Sequence, residues 1–146
     1  MKDIVTNKKA YHDYFIEEKY EAGMALLGSE IKSIRKGKVS LKEAYVSFQA
    51  GEAFVKDMHI AEYQDATYNN HDETRDRKLL LHKKEISRLA SKCKLQGFTC
   101  VPLRLYFKDG KVKLEIALAK GKTLYDKRET DKQRTMDRMA KQSMRR

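Results

Sequence analysis

Lys111 and Lys113 stand two residues apart in a segment whose alternate positions, Val112, Leu114, Ile116 and Leu118, are apolar. On a strand, that spacing puts both ammonium groups on the polar face. Lys120 and Lys122 continue the two-residue spacing just beyond. The sequence thus predicts a row of four cations suited to tracking a phosphate backbone. A solvated face would explain one such pair equally well, but four lysines leading into a basic arm point to a polyanion. A second basic cluster, Arg75, Arg77 and Lys78, follows an Asn-Asn-His turn. Arginine pairs with phosphate through two parallel bonds and stacks on bases, which the loops of structured RNA permit. Tyr125, set among polar and basic residues, is placed to stack on an unpaired base or is simply an incidental tyrosine.

Other chemistry is harder to find. The chain has no phosphate-binding P-loop, dinucleotide fingerprint or nucleophile elbow. His12, His59, His71 and His82 are scattered without metal-ligand spacing, and Cys93 with Cys100 makes neither a zinc pattern nor a disulfide framework. The reading is therefore no enzyme, no metal and no cofactor, with the thiols reduced in a cytoplasmic setting. A nuclease using His and Lys is the opposing class, and RNA left intact after long incubation would count against it. No apolar run approaches bilayer length, and no signal peptide or lipidation motif is found, so no membrane partner is expected.

These residues need elements to hold them. The 146 residues suit one domain. Net charge is +11, and the stretch from Lys120 onward carries ten basic against four acidic residues, a net +6. We therefore divide the chain into a body, 1–122, and a basic arm, 123–146. Residues 1–9 read as polar and loose. Tyr11 to Leu27 alternates as a strand with a bend or bulge at Gly23, and a short helix capped by Ser29 runs to Gly37. Ala44–Phe48 and Ala53–Val55 flank a turn and form a hairpin, with Met58–Ile60 extending its second strand. Residues 62–76 are loop formers. Ile86, Leu89, Ala90 and Cys93 mark an amphipathic helix over 82–95, stopped by Gly97. From Thr99 the expectation is a strand with Val101, Leu103, Leu105 and Phe107 on one face, and Pro102 implies an edge or a bulge. Asp109-Gly110 predicts a tight hairpin into the Val112–Leu118 strand. About six strands in antiparallel hairpins with two helices make a small, mainly β domain. An OB-like antiparallel β-barrel with flanking short helices would hide its edges. In the arm, Met136, Met139, Ala140 and Met144 form a helical stripe among charges. Without a core to dock on, it reads as disordered when free and helical against a partner, or as a solvated tail.

Taken together, these segments resemble the bacterial SmpB family of SsrA-binding proteins, the partners of transfer-messenger RNA. The matching pieces include Asn7-Lys8-Lys9-Ala10, Tyr14-Phe15-Ile16-Glu17-Glu18, Gly28-Ser29-Glu30-Ile31, Arg77-Lys78-Leu79-Leu80-Leu81, Ala119-Lys120-Gly121-Lys122 and Asp126-Lys127-Arg128. The resemblance spans essentially the whole chain. It implies an OB-type barrel that binds the tRNA-like domain of transfer-messenger RNA and brings it to stalled ribosomes. It also implies a tail that enters the small-subunit decoding centre and empty message channel, with elongation factor Tu met indirectly through the charged RNA. The RNA-binding positions it implies are Asn7, His12, Glu21, Leu80, Lys111, Lys120 and Lys122, to which the residue reading adds Lys8, Arg75, Arg77, Lys78 and Lys113. Tyr125, Asp126, Lys127 and Arg128 match the decoding-site segment, and Lys132, Arg134, Met136 and Arg138 continue it. Thr123 stands where the family often repeats lysine, and Tyr125 where some members have histidine. The competing reading is a general OB-fold RNA-binding translation factor without a dedicated RNA.

Overall fold

Two tight turns organise the strands. Ala50-Gly51 and Asp109-Gly110 both adopt positive φ at each residue (51° and 76°, 52° and 76°), the conformation that matches the twist of two-residue hairpins. The computed structural model describes residues 3–63, 70–95 and 97–144. In chain order these form β1 (Asp3–Thr6), α1 (Lys8–Asp13), β2 (Tyr14–Met24), α2 (Gly28–Arg35), β3 (Val39–Ser40), β4 (Tyr45–Gln49), β5 (Glu52–Lys56) and β6 (His59–Ile60). Then come β7 (Arg77–Leu80), α3 (Lys83–Cys93), β8 (Phe98–Lys108), β9 (Lys111–Gly121) and α4 (Leu124–Met144). Seven strands make one antiparallel sheet in the order β1-β8-β9-β2-β7-β5-β4, and β3 pairs with β6 separately.

The protein is mainly β, as expected, but the sheet is not a closed barrel: β1 and β4 stand at its ends and do not pair. Near that seam, the side chain of Asn7, just after β1, donates to the backbone carbonyl of Leu41 at 3.4 Å. The N-terminal segment is not loose. β1 pairs with β8, and α1 starts on Asn7, whose Oδ1 accepts from the Ala10 amide at 3.2 Å. Met58–Ile60 does not extend β5. Asp57 turns the chain at φ 57°, and β6 pairs with β3 instead. The cap of α2 is Leu27, whose amide donates to Glu30 Oε1 at 2.8 Å, while Ser29 Oγ bonds His71 Nδ1 at 2.9 Å. Gly37 (φ 73°) ends that turn as predicted. Part of the expected loop, residues 64–69, lies outside the described residues.

Register shifts are the chief surprise. The bulge in β2 falls between Ile16 and Glu18 rather than at Gly23, and β8 shifts between Pro102 and Arg104. One extra residue reverses which face every later side chain meets. Leu105 and Phe107 therefore join the main core, with Leu114, Ile116 and Leu118 of β9. Val101 and Leu103 turn to a second cluster with Ala10, Ala117 and Ala119. The single face expected for Val101 to Phe107 is split. No buried core residue lies beyond Ala119 among the described residues.

Residues 124–144 form one helix where the sequence predicts an arm disordered when free. Its start carries a local signal: Thr123 Oγ1 accepts from the Asp126 amide (3.2 Å), and Asp126 Oδ2 accepts from the Thr123 amide (3.2 Å). This reciprocal pair is a capping box, with Asp in place of the usual Glu.

Candidate nucleic-acid interface

Gly23 is the low point of a trough. It lies opposite Lys113 of β9 on one side and Leu80 of β7 on the other. A Cβ at Gly23 would sit 3.3 Å from Leu80 Cβ, so glycine lets these strands present a dip without a side chain. Leu80 is exposed on the rim, as is Lys78 two residues before it, and Lys111 is exposed at the start of β9. Glu21 projects on the same strand as Gly23. Its carboxylate accepts from the Tyr106 hydroxyl at 2.5 Å and from Lys108 Nζ at 3.4 Å. The Tyr106 bond, more than the nearby lysines, holds the Glu21 carboxyl below its ordinary pKa. An ionised Glu21 thus orients Lys108, a cation of this face that sequence reasoning missed because its partner is 87 positions away. Glu21, Lys78, Leu80, Lys111 and Lys113 are therefore brought together around one cation-rimmed trough.

Lys120 and Lys122 do not extend that row. They have the opposite parity to Lys111 and Lys113 along β9, and nine residues of strand, about 30 Å, separate Lys111 from Lys120. The predicted file of four lysines is two separate pairs. Lys120 lies opposite both Phe98 and Phe15, with its ammonium 5.8 Å from the Phe98 ring centre. The Lys122 ammonium is 5.2 Å from the ring of Phe15 and donates to the Tyr11 carbonyl at 3.2 Å.

Three predicted contact residues serve the fold instead. Arg77 is fully buried. Its Nε donates to Glu30 Oε2 at 2.5 Å and its other nitrogens to the carbonyls of Met58, Asp72 and Glu73. Arg75 is half-buried and donates to Glu30 Oε1 at 2.6 Å. Asn7 is also buried, and besides capping α1 it donates to the Pro102 carbonyl at 2.9 Å. A charge cluster read as a phosphate patch is thus mainly an internal clamp on Glu30; only Lys78 of the trio points outward.

His12 ties the arm to the body. Its Nδ1 lies 3.0 Å from Asp13 Oδ1 and its Nε2 3.1 Å from Asp131 Oδ2 of α4, while Lys127 Nζ is 3.4 Å from the same Asp13 oxygen. Hydrogen bonds to Asp13 and then Asp131 raise the His12 pKa above its ordinary 6.5. The sign follows: attachment through protonated His12 is complete below pH 6.5 and is lost as pH rises through the raised value. A fluorescent pair on α1 and α4 should report separation over that interval, and His12→Ala should remove the pH dependence. An unchanged profile in that variant would count against the contact. Beyond this root, Arg128, Lys132, Arg134, Met136 and Arg138 are all exposed on α4, and Lys8 is exposed on α1. The side chain of Tyr125 lies outside the described residues. No grouping of metal-ligating side chains occurs among the described residues, and no described helix is long and apolar enough to cross a membrane.

A cationic trough on the body and a charged helix beyond it invite comparison with known proteins. The family model for SmpB protein matches residues 4–146. An SsrA-binding protein of Geotalea uraniireducens is 59% identical over 135 residues, covering 92% of this chain and 89% of the relative. One from Pelobacter propionicus is 54% identical over 141 residues, covering 97% and 93%. Among solved structures, a chain described as "tmRNA-SmpB: a journey to the center of the bacterial ribosome" is 45% identical. It superposes with a TM-score of 0.69 over 82% of this chain and 85% of that one.

Proposed function

The chain belongs to the SmpB family, and from that premise we propose that it binds the tRNA-like domain of transfer-messenger RNA and delivers it to stalled ribosomes for trans-translation. One observation carries the reading: the family match runs from residue 4 to residue 146, so it takes in both the trough and α4. In this account the body and the arm serve different RNAs. Lys78, Lys111 and Lys113 neutralise phosphates of the tRNA-like domain around the Gly23 trough, and Leu80 supplies an apolar rim. The arm works at the small-subunit decoding centre and in the message channel, where Tyr125, Asp126, Lys127 and Arg128 meet the ribosome and Lys132 to Arg138 follow. Elongation factor Tu is met only through the charged RNA, and the setting is the cytoplasm. The chain itself performs no catalysis.

Two structural details belong to the same proposal. We read the body as OB-like, supported by three 11-residue strands, two of which carry bulges that bend the sheet. We also read the arm as unstructured in the free chain once its root leaves α1. Among the described side chains, Asp131 is the last of α4 to bond the body, so the rest of this 21-residue helix has only its own propensity to hold it.

The test is affinity for the tRNA-like domain against an unrelated tRNA at physiological salt. A clear preference for the former is expected, and equal affinities would favour a general RNA-binding translation factor, since phosphate contacts alone do not discriminate. Lys111→Ala and Lys113→Ala should each lower the slope of log affinity against log salt by about 1. Unchanged slopes would remove the trough from the interface.

A further inference from the structure

Phe98, Lys120 and Phe15 stand side by side on three adjacent strands, each facing the next across a register pair. The row is made by the β2 bulge: before it Phe15 shares a face with Lys120, and after it the parity changes. Phe98 still packs against the main core, whereas Phe15 at the far end of the row is 45% exposed. Lys120 extends its stem past Gly97 and sets its ammonium 5.8 Å from the Phe98 ring centre. Lys122 brings a second ammonium to within 5.2 Å of the Phe15 ring. An exposed ring with one lysine as its cross-strand neighbour and a second ammonium 5.2 Å from its centre has the composition of a stacking site for a nucleobase, in which the ring takes the base and the lysines its flanking phosphates.

We propose that Phe15, with Lys120 and Lys122, forms a stacking subsite for an unpaired base of the RNA bound by the body. The inference rests on the RNA-binding reading above and adds a site about a strand's length from the Gly23 trough. A paired base has no free face for Phe15, so the subsite selects looped or single-stranded nucleotides. The two contact areas together give the body a span that a single cationic patch lacks.

The chain contains no tryptophan, so Phe15→Trp introduces a single indole that can be excited apart from the tyrosines. In the full-length protein, its emission is expected to quench on titration with the tRNA-like domain and to stay unchanged with isolated small ribosomal subunits. Phe15→Leu is expected to weaken binding of the tRNA-like domain by about 5- to 100-fold. Phe15→Tyr, which keeps the aromatic face, should restore affinity to within about threefold of the parent chain. Thermal melts of each variant separate lost stacking from lost fold. Parent-like affinity in Phe15→Leu, no quenching in Phe15→Trp, or quenching only by ribosomal subunits would each overturn the subsite. A parent chain that does not prefer the tRNA-like domain would instead overturn the function proposed above. The subsite would then be upheld by quenching with single-stranded oligoadenylate and overturned by its absence.

Discussion

A chain ending at Thr123 is expected to keep its fold and its affinity for the tRNA-like domain while losing the tagging of stalled nascent chains altogether. The structural half of this expectation follows from where the core stops. No buried apolar side chain lies beyond Ala119 among the described residues, so removing α4 exposes no core surface. What it removes from the body is the contact set of His12 and Asp13 with Asp131 and Lys127. Exposed charge pairs contribute little to stability. The melting temperature should therefore fall by about 5 °C or less. Lys122 keeps its own anchors, because its amide donates to the Asp13 carbonyl at 2.8 Å and its ammonium to Tyr11.

The functional half divides the charge. The stretch from Lys120 holds a net +6 of the +11, yet Lys78, Lys111 and Lys113 all remain in the shortened chain. Affinity for the tRNA-like domain should change by no more than about threefold. Loss of the arm removes everything assigned to the decoding centre. In a purified translation system with messages lacking a stop codon, tag addition should drop to background while RNA binding persists. If RNA affinity collapsed instead, the arm would be part of the RNA-binding surface and the division between body and arm would be wrong.

How much of this could be seen in the residues depends on the distance over which each feature is determined. The hairpins at Ala50-Gly51 and Asp109-Gly110 were legible because two adjacent residues decide a tight turn. The stripe Ile86, Leu89, Ala90, Cys93 and the alternation from Val112 to Leu118 are equally local and appear as α3 and β9. β1 was not legible: four residues with no marked periodicity become a strand only because β8 offers them an edge. The bulges at Ile16 and Pro102 were half legible. Proline signalled an interruption, but the resulting change of face splits Val101 and Leu103 from Leu105, and it depends on partner strands. The same parity argument, overlooked when only spacing is counted, separates Lys111 and Lys113 from Lys120 and Lys122. The T-x-x-D cap at Thr123 was present in the sequence and was read only as an absent lysine. The Arg77–Glu30 pair, 47 positions apart, had no local signal at all.

That pair carries the largest stability effect expected from a single substitution. Replacing Arg77 with Met should destabilise the chain by about 3–5 kcal/mol, because a buried carboxylate then loses its one fully buried cationic partner among the described residues. The corresponding fall in melting temperature is about 10–20 °C. Glu30 is fully buried and accepts from Leu27, Arg75 and Arg77. Burial alone would raise its pKa, yet hydrogen bonds from Arg75, the Leu27 amide and Arg77 outweigh burial and hold it below the ordinary 4.5. A lowered carboxyl pKa stabilises the fold above pH 4.5, and that contribution is lost as pH falls through the folded value. Glu30→Gln should therefore be less stable near neutrality and should lose much of the parent's acid-induced decline. A melting temperature within a degree or two of the parent would sink this account. Arg77 also fixes β7, whose next residues, Lys78 and Leu80, rim the trough, so its variants will weaken RNA binding whenever they unfold. Measured well below its melting temperature, Arg77→Met should bind the tRNA-like domain as the parent does, with the same salt slope. A slope lower by about 1 in a folded variant would mean that Arg77 reaches a phosphate after all. Its burial would then have to open when RNA binds.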